Sequence, residues 1–144
     1  MTRVDFYIVE RPANEARLTV ACRLAEKAVN QDHEVLINTA SASESSRLDN
    51  LLWTFSQNSF LPHRVLGDDS VADDGERVSI GSGREPEDGS WDLLINLAPE
   101  VPEFFSRFSR VAELVGAEEA DKAAGRERFR YYRDRGYELR THHI

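Results

Sequence analysis

The chain has 144 residues, 40% hydrophobic and 31% charged, the makeup of one ordinary globular domain whose core needs no staples. Its 26 acidic residues against 18 basic ones leave a formal net charge of −8, which argues against wrapping duplex DNA, where affinity comes from neutralised phosphates. One cysteine, Cys22, excludes an internal disulfide, and no apolar run approaches a signal segment or the ~20 residues that span a bilayer, so a cytoplasmic, non-membrane protein is expected.

Residues 4–9 form a short apolar and β-branched run that predicts an opening strand. Pro12 breaks it, and Asn14 is placed to cap a helix running to Gln31. That helix sets Val20, Leu24 and Ala28 on one face, joined by Ala21 and Ala25. Residues 34–38 predict a second strand, apolar enough to be covered on both faces. Ser41 or Ser43 then caps a helix whose apolar stripe is Leu48, Leu51, Leu52 and Phe55, and Ser41-x-x-Glu44 has the capping-box spacing. Residues 68–76 and 81–89 are acidic and glycine-rich, and read as loops around a short strand at 77–80.

Residues 91–97 (Trp-Asp-Leu-Leu-Ile-Asn-Leu) are the clearest late strand. Pro99 and Pro102 frame a turn into residues 104–108, and residues 110–115 predict another strand, ended by Gly116. A helix over residues 118–135 follows, with residues 137–142 as an added edge strand. The alternation predicts a doubly wound α/β domain over residues 1–144, one sheet with helices on both sides.

Such a sheet invites a nucleotide, but the first strand–helix turn, Val9-Glu10-Arg11-Pro12-Ala13-Asn14, has no glycine to let backbone amides approach a pyrophosphate. Neither GxGxxG nor GxxxxGK[ST] occurs, and Gly81-Ser82-Gly83 runs on into Glu85, Glu87 and Asp88 instead of a helix. His33 and His63 stand alone, while His142 and His143 are adjacent and in a strand point to opposite faces. A single thiol offers no zinc spacing, and no Gly-x-Ser-x-Gly elbow is present. No cofactor or metal is expected.

Two surfaces suit macromolecular partners. Residues 51–63 carry more large apolar side chains than one helix face hides: Trp53 is rotated off the Leu48/Leu52 stripe, and Phe60 follows in a loop before Pro62. Large aromatics outside the core stripe are typical interface anchors, the alternative being a satellite core beneath the long loops. Residues 122–140 hold 7 of the 18 basic residues. On one helix, Arg126, Arg130 and Arg133 follow i, i+4, i+7 and share a stripe, with Phe129 on its shoulder and Ala120, Ala124 and Tyr131 on the far side as the expected core face. A guanidinium row beside an aromatic ring suits a ligand with carboxylates and one apolar group; the competing reading is a solvated face paired locally with Glu127 and Asp134.

Several segments occur in a telling order: Asp5-Phe6-Tyr7-Ile8-Val9, Arg47-Leu48-Asp49-x-x-Leu52-Trp53, Ser59-Phe60-Leu61-Pro62-His63, Trp91-Asp92-Leu93-Leu94-Ile95-Asn96-Leu97, and Gly125-Arg126-Glu127-Arg128-Phe129-Arg130-Tyr131-Tyr132-Arg133 running on to Gly136-Tyr137. Over nearly its whole length the chain resembles the chi subunit family of the bacterial DNA polymerase III holoenzyme. The resemblance implies a single-domain, three-layer Rossmann-like α/β fold with a mostly parallel sheet, neither nucleotide nor catalysis, and a bridging role. One surface of that family binds psi, which ties it to the clamp loader; another binds the acidic C-terminal tail of single-stranded DNA-binding protein, giving an indirect association with single-stranded DNA. The resemblance puts the tail contacts on Arg126, Phe129, Arg130 and Arg133, and the psi contacts on Trp53 and Phe60. Phe129 stands where a tyrosine is familiar, so a hydroxyl is lost while stacking survives. Arg130 stands where a lysine is familiar and keeps the charge, adding bidentate reach. The readings from other classes are a small α/β enzyme with its site at the carboxyl ends of the strands, and direct single-stranded DNA binding by the basic, aromatic helix.

Overall fold

The computed structural model describes residues 2–11, 15–55, 61–66, 77–85 and 92–144. The elements run β1 (Arg3–Ile8), α1 (Ala16–Asn30), β2 (Val35–Asn38), α2 (Ala42–Thr54), β3 (His63–Val65), β4 (Val78–Gly81), β5 (Leu93–Asn96), a 3-10 turn (Phe105–Arg107), β6 (Arg110–Val115), α3 (Glu119–Asp134) and β7 (Glu138–His143). They build a seven-stranded sheet in the order β3-β4-β2-β5-β6-β1-β7, with every pairing parallel. This is the three-layer α/β arrangement the element pattern predicts. The strand not foreseen is β3, a three-residue edge strand of His63, Arg64 and Val65, too short and too polar to stand out. The expected Asn14 cap, Phe60, Trp91 and the loop at 68–76 lie outside the described residues.

Period-2 alternation assigns the faces. Val35 and Ile37 of β2 point to the layer of α1 and α2, where Leu18, Ala21, Ala25, Leu48 and Leu52 meet them. Leu36 between them points the other way, to a layer of Tyr132, Phe104, Phe105 and Phe108 that also covers Val4, Phe6 and Leu94. On α1 the fully buried residues are Leu18, Ala21, Cys22 and Ala25, while Val20 and Leu24 of the expected stripe are half-buried at its margin. On α2 the stripe is as expected: Leu48 and Leu52 are fully buried, and Leu51 and Phe55 pack against the same core. Ser41 caps α2, its hydroxyl accepting from the Glu44 N–H at 3.1 Å, while Glu44 reaches back to the Ala40 N–H at 3.1 Å, one residue earlier than a standard capping box.

Candidate functional site

The last helix presents opposite faces to opposite tasks. Asp121, Gly125, Arg128 and Tyr132 recur at helical spacing along its inner side. Gly125, Arg128 and Tyr132 are its buried residues. The expected core face is thereby corrected: Ala120 is exposed and Ala124 and Tyr131 are half-buried. The reason is close approach to β6. A Cβ at Gly125 would sit 2.8 Å from a Val115 methyl, so the glycine lets the helix settle on the sheet and turns this stripe inward. The helix ends in a Schellman motif. Gly136, at φ +80, donates to the Arg133 carbonyl at 3.0 Å, and Tyr137 donates to the Tyr132 carbonyl at 3.2 Å.

Arg128 and Tyr132 converge on Glu113 of β6, which has no exposed surface. Arg128 Nε donates to Glu113 Oε1 at 2.8 Å, the Tyr132 hydroxyl to Oε2 at 2.7 Å, and Asn96 Nδ2 to both oxygens at 3.0 and 3.1 Å. Asn38 Nδ2 extends the network to Asn96 Oδ1 at 3.0 Å, and the Gly83 N–H donates to Asn38 Oδ1 at 2.9 Å. Burial pushes the Glu113 carboxyl up, against the pull of Arg128, Tyr132 and Asn96; burial, and then Glu113, push the Tyr132 hydroxyl up. Sequence reasoning missed this network. Its signal was Glu113 itself, an acid amid the apolar residues of β6, which a buried strand tolerates only with a partner.

Beside the network a crevice of about 400 Å³ opens at the carboxyl ends of β2 and β5, lined by Asn38, Ser82, Gly83, Pro99 and Glu100. Here the connections from neighbouring strands leave in opposite directions, the usual ligand position in such sheets. The buried groups that an enzyme reading would recruit, Glu113, Asn96 and Asn38, are bonded to one another and to the surrounding backbone.

The outer face of α3 carries Arg126, Arg130 and Arg133 on one exposed stripe, as their spacing predicts. Arg130 contacts Glu127, and Arg133 donates to Asp134 at 3.1 Å, so local pairing holds for these two. Among the described residues Arg126 forms no ion pair, and neither does the half-buried Lys122 one turn before it. Phe129 is half-buried beside the stripe, its ring edge-on to Phe6 of β1 with centroids 5.3 Å apart. The aromatic shoulder is therefore packed against the core beside the arginines.

Trp53 stands elsewhere, at the end of α2, and is 48% exposed. Its ring leans on that of His63, with centroids 4.4 Å apart. His63, which reads in the sequence as a lone histidine, is buried and lies 2.7 Å from Asp49. His142 and His143 likewise reach carboxylates, Asp5 at 3.0 Å and Glu10 at 3.0 Å, pinning the end of β7.

Among the described residues no cluster of histidine, cysteine and carboxylate groups could hold a metal. Burial pushes the Cys22 thiol up to about 12, which makes it a poor nucleophile. No helix among them is long and apolar enough to cross a membrane.

The molecule is thus a parallel three-layer α/β protein of the Rossmann kind, with Arg128, Glu113, Asn96 and Asn38 tied to one another inside and Arg126, Arg130 and Arg133 turned outward. Residues 1–140 match the family described as "DNA polymerase III chi subunit, HolC", and the chain belongs to that family. It is 46% identical over 144 residues to the DNA polymerase III subunit chi of Pseudomonas aeruginosa, covering 100% of this chain and 98% of the relative. To the chi subunit of Haemophilus influenzae it is 30% identical over 140 residues, covering 97% and 96%, and to that of Escherichia coli 28% over 145, covering 98% and 97%. In fold it superposes on the crystal structure of T4 UvsW with a TM-score of 0.70 at 9% identity, over 99% of this chain and 41% of that one. The chain is a replication accessory subunit that associates with the polymerase III holoenzyme.

Proposed function

We propose that this chain is a non-catalytic adaptor of one domain, residues 1–144, working in the cytoplasm between two partners. Through Trp53 and Phe60 it contacts psi and so the clamp loader; through Arg126, Phe129, Arg130 and Arg133 it contacts the acidic C-terminal tail of single-stranded DNA-binding protein. Its association with single-stranded DNA is then indirect and needs no cofactor.

The observation that carries the tail reading is the outer stripe of α3. In a chain of net charge −8, three guanidiniums stand in line on one exposed face, beside an aromatic ring fixed against the core. Carboxylates satisfy the guanidiniums with charge-assisted bonds, and an apolar chain end suits the ring. Calorimetry with purified single-stranded DNA-binding protein, intact and lacking its last residues, tests it. Binding by the intact protein alone is expected; equal binding by both forms would remove the tail from the interface. Trimming only the terminal apolar residue of a synthetic tail peptide should weaken binding more than replacing one of its aspartates, because charge alone does not distinguish acidic peptides.

A further inference from the structure

Asp49 and Trp53 lie one turn apart on α2, and both touch His63 of β3. The His63 side chain has no exposed surface. Its Nδ1 lies 2.8 Å from the Leu61 carbonyl oxygen and its Nε2 lies 2.7 Å from Asp49 Oδ1. Both neighbours are acceptors, so the ring donates to one of them from whichever nitrogen carries the proton, and with its side chain fully enclosed it cannot turn without breaking that bond. If packing alone were required here, an aliphatic side chain would fill the space without desolvating two polar atoms. The polar ring fixes an orientation.

Against this fixed ring leans the Trp53 indole, 4.4 Å away between centroids and tilted by 45°. The same indole is 48% exposed, so it is supported by the protein and still offers surface to a partner. Exposed Asn50 and Thr54 flank it on α2. A large exposed ring normally samples several rotamers, and a partner must freeze it on binding. A ring already held loses less, and a large aromatic anchor whose surroundings shut out water on binding is the usual makeup of a hot spot.

We propose that Asp49 and His63 are positioning residues that hold Trp53 in one pose, ready for an apolar pocket rimmed by hydrogen-bonding groups on a protein partner. The inference rests on the reading of Trp53 as a psi contact. It names two residues that touch no partner themselves and act through the indole.

The test uses the full chain labelled with 5-fluorotryptophan, the Trp53 resonance being the one lost in Trp53→Ala, together with calorimetry against psi. Asp49→Ala and His63→Leu should each move and broaden the Trp53 resonance and weaken psi binding roughly two- to tenfold, the scale of freezing one side chain. Thermal unfolding checks that each variant is folded. If His63→Leu fails to fold, Asp49→Ala decides, since that carboxylate is 38% exposed and its loss leaves no cavity. Psi affinity unchanged in Trp53→Ala would overturn the interface reading and this inference together. Affinity lost in Trp53→Ala but kept in Asp49→Ala would overturn the positioning role alone and leave the interface standing.

Discussion

Arg128 and Glu113 form an ion pair closed off from solvent on both sides, with Nε 2.8 Å from Oε1 and side chains 5% and 0% exposed. The pair joins α3 to the centre of the sheet. Its guanidinium also donates to the carbonyls of Pro99 at 3.1 Å and Leu114 at 3.3 Å, so the one residue ties α3, β6 and the loop after β5 together. The stripe of Arg126, Arg130 and Arg133 faces outward because Arg128, two positions from Arg126 and Arg130, is drawn inward.

Removing Arg128 should therefore cost more than any surface arginine. Arg128→Ala leaves a buried carboxylate without its cation, a change worth about 3–5 kcal/mol of stability. Burial raises the Glu113 carboxyl from its ordinary 4.5, and without Arg128 that rise is unopposed by its strongest counterweight. A raised folded-state acid binds a proton that the unfolded chain releases, so its contribution declines as pH rises above that ordinary value. The deficit of Arg128→Ala should accordingly be smaller near pH 5 than at pH 8. Urea titrations at the two pH values check this, and an equal deficit at both would mean the carboxylate finds another partner.

Arg126, with no ion pair among the described residues, should matter most for the acidic tail. Arg126→Ala should cost about tenfold or more in affinity, since a charge-assisted bond contributes ~1.5–3 kcal/mol. Arg130 and Arg133 must leave Glu127 and Asp134 before they grip a ligand, so their alanine variants should cost less. Glu127→Gln should then tighten binding by releasing Arg130. Affinity should also fall with salt, because added ions screen the attraction between the exposed guanidiniums and the carboxylates, while repulsion from acidic groups more than ~10 Å away is already screened at 0.1 M. Calorimetry with a synthetic tail peptide measures all four effects; affinity unchanged in Arg126→Ala and Arg130→Ala would remove the site from this helix.

Where apolar periodicity and burial coincide, the elements could be read directly. The strands at β1, β2 and β6 appear within a residue of their expected bounds, and Leu48 and Leu52 face the core as their spacing requires. The inner face of α3 could not be read that way, because it is built from a glycine, an arginine and a tyrosine. Hydrophobic spacing assigned that role to Ala120, Ala124 and Tyr131, since no periodicity rule expects a guanidinium at the centre of a core. What decides the matter is a partner on another element, Glu113, fifteen residues away in sequence. The same holds for His63: its tie to Asp49 depends on β3 pairing with β4, a contact invisible in a three-residue strand. The arginine stripe was readable because exposed residues on one helix depend on that helix alone.

Cys22 predicts an alkaline weakness. Its thiol has no exposed surface, and burial lifts it from an ordinary 9.0 to about 12. Between those values the unfolded chain releases a proton that the folded chain keeps, so stability falls as pH rises, by up to about 4 kcal/mol at the limit. Cys22→Ala should flatten this part of the pH–stability curve relative to the unmodified chain, at a modest cost near neutrality. Denaturant titrations from pH 8 to 10.5 measure the difference, and parallel curves would mean that solvent reaches the thiol.

Trp53 and Phe60 should be separable from the core by thermal unfolding. A fully buried tryptophan or phenylalanine costs ~3–5 kcal/mol on truncation to alanine. Trp53 is 48% exposed and its pair with His63 is one of its contacts, so Trp53→Ala should cost well under that, with about 0.5–1.5 kcal/mol coming from the aromatic pair. For a domain of this length the pair corresponds to a drop of only about 2–6 °C in Tm, against 10 °C or more, roughly, for a core position. Phe60→Ala should behave alike if that residue shares the same surface. Both variants should bind the tail peptide normally while losing psi. A large fall in Tm, with tail binding lost alongside the fold, would make these aromatics core residues and reduce the two interfaces to one.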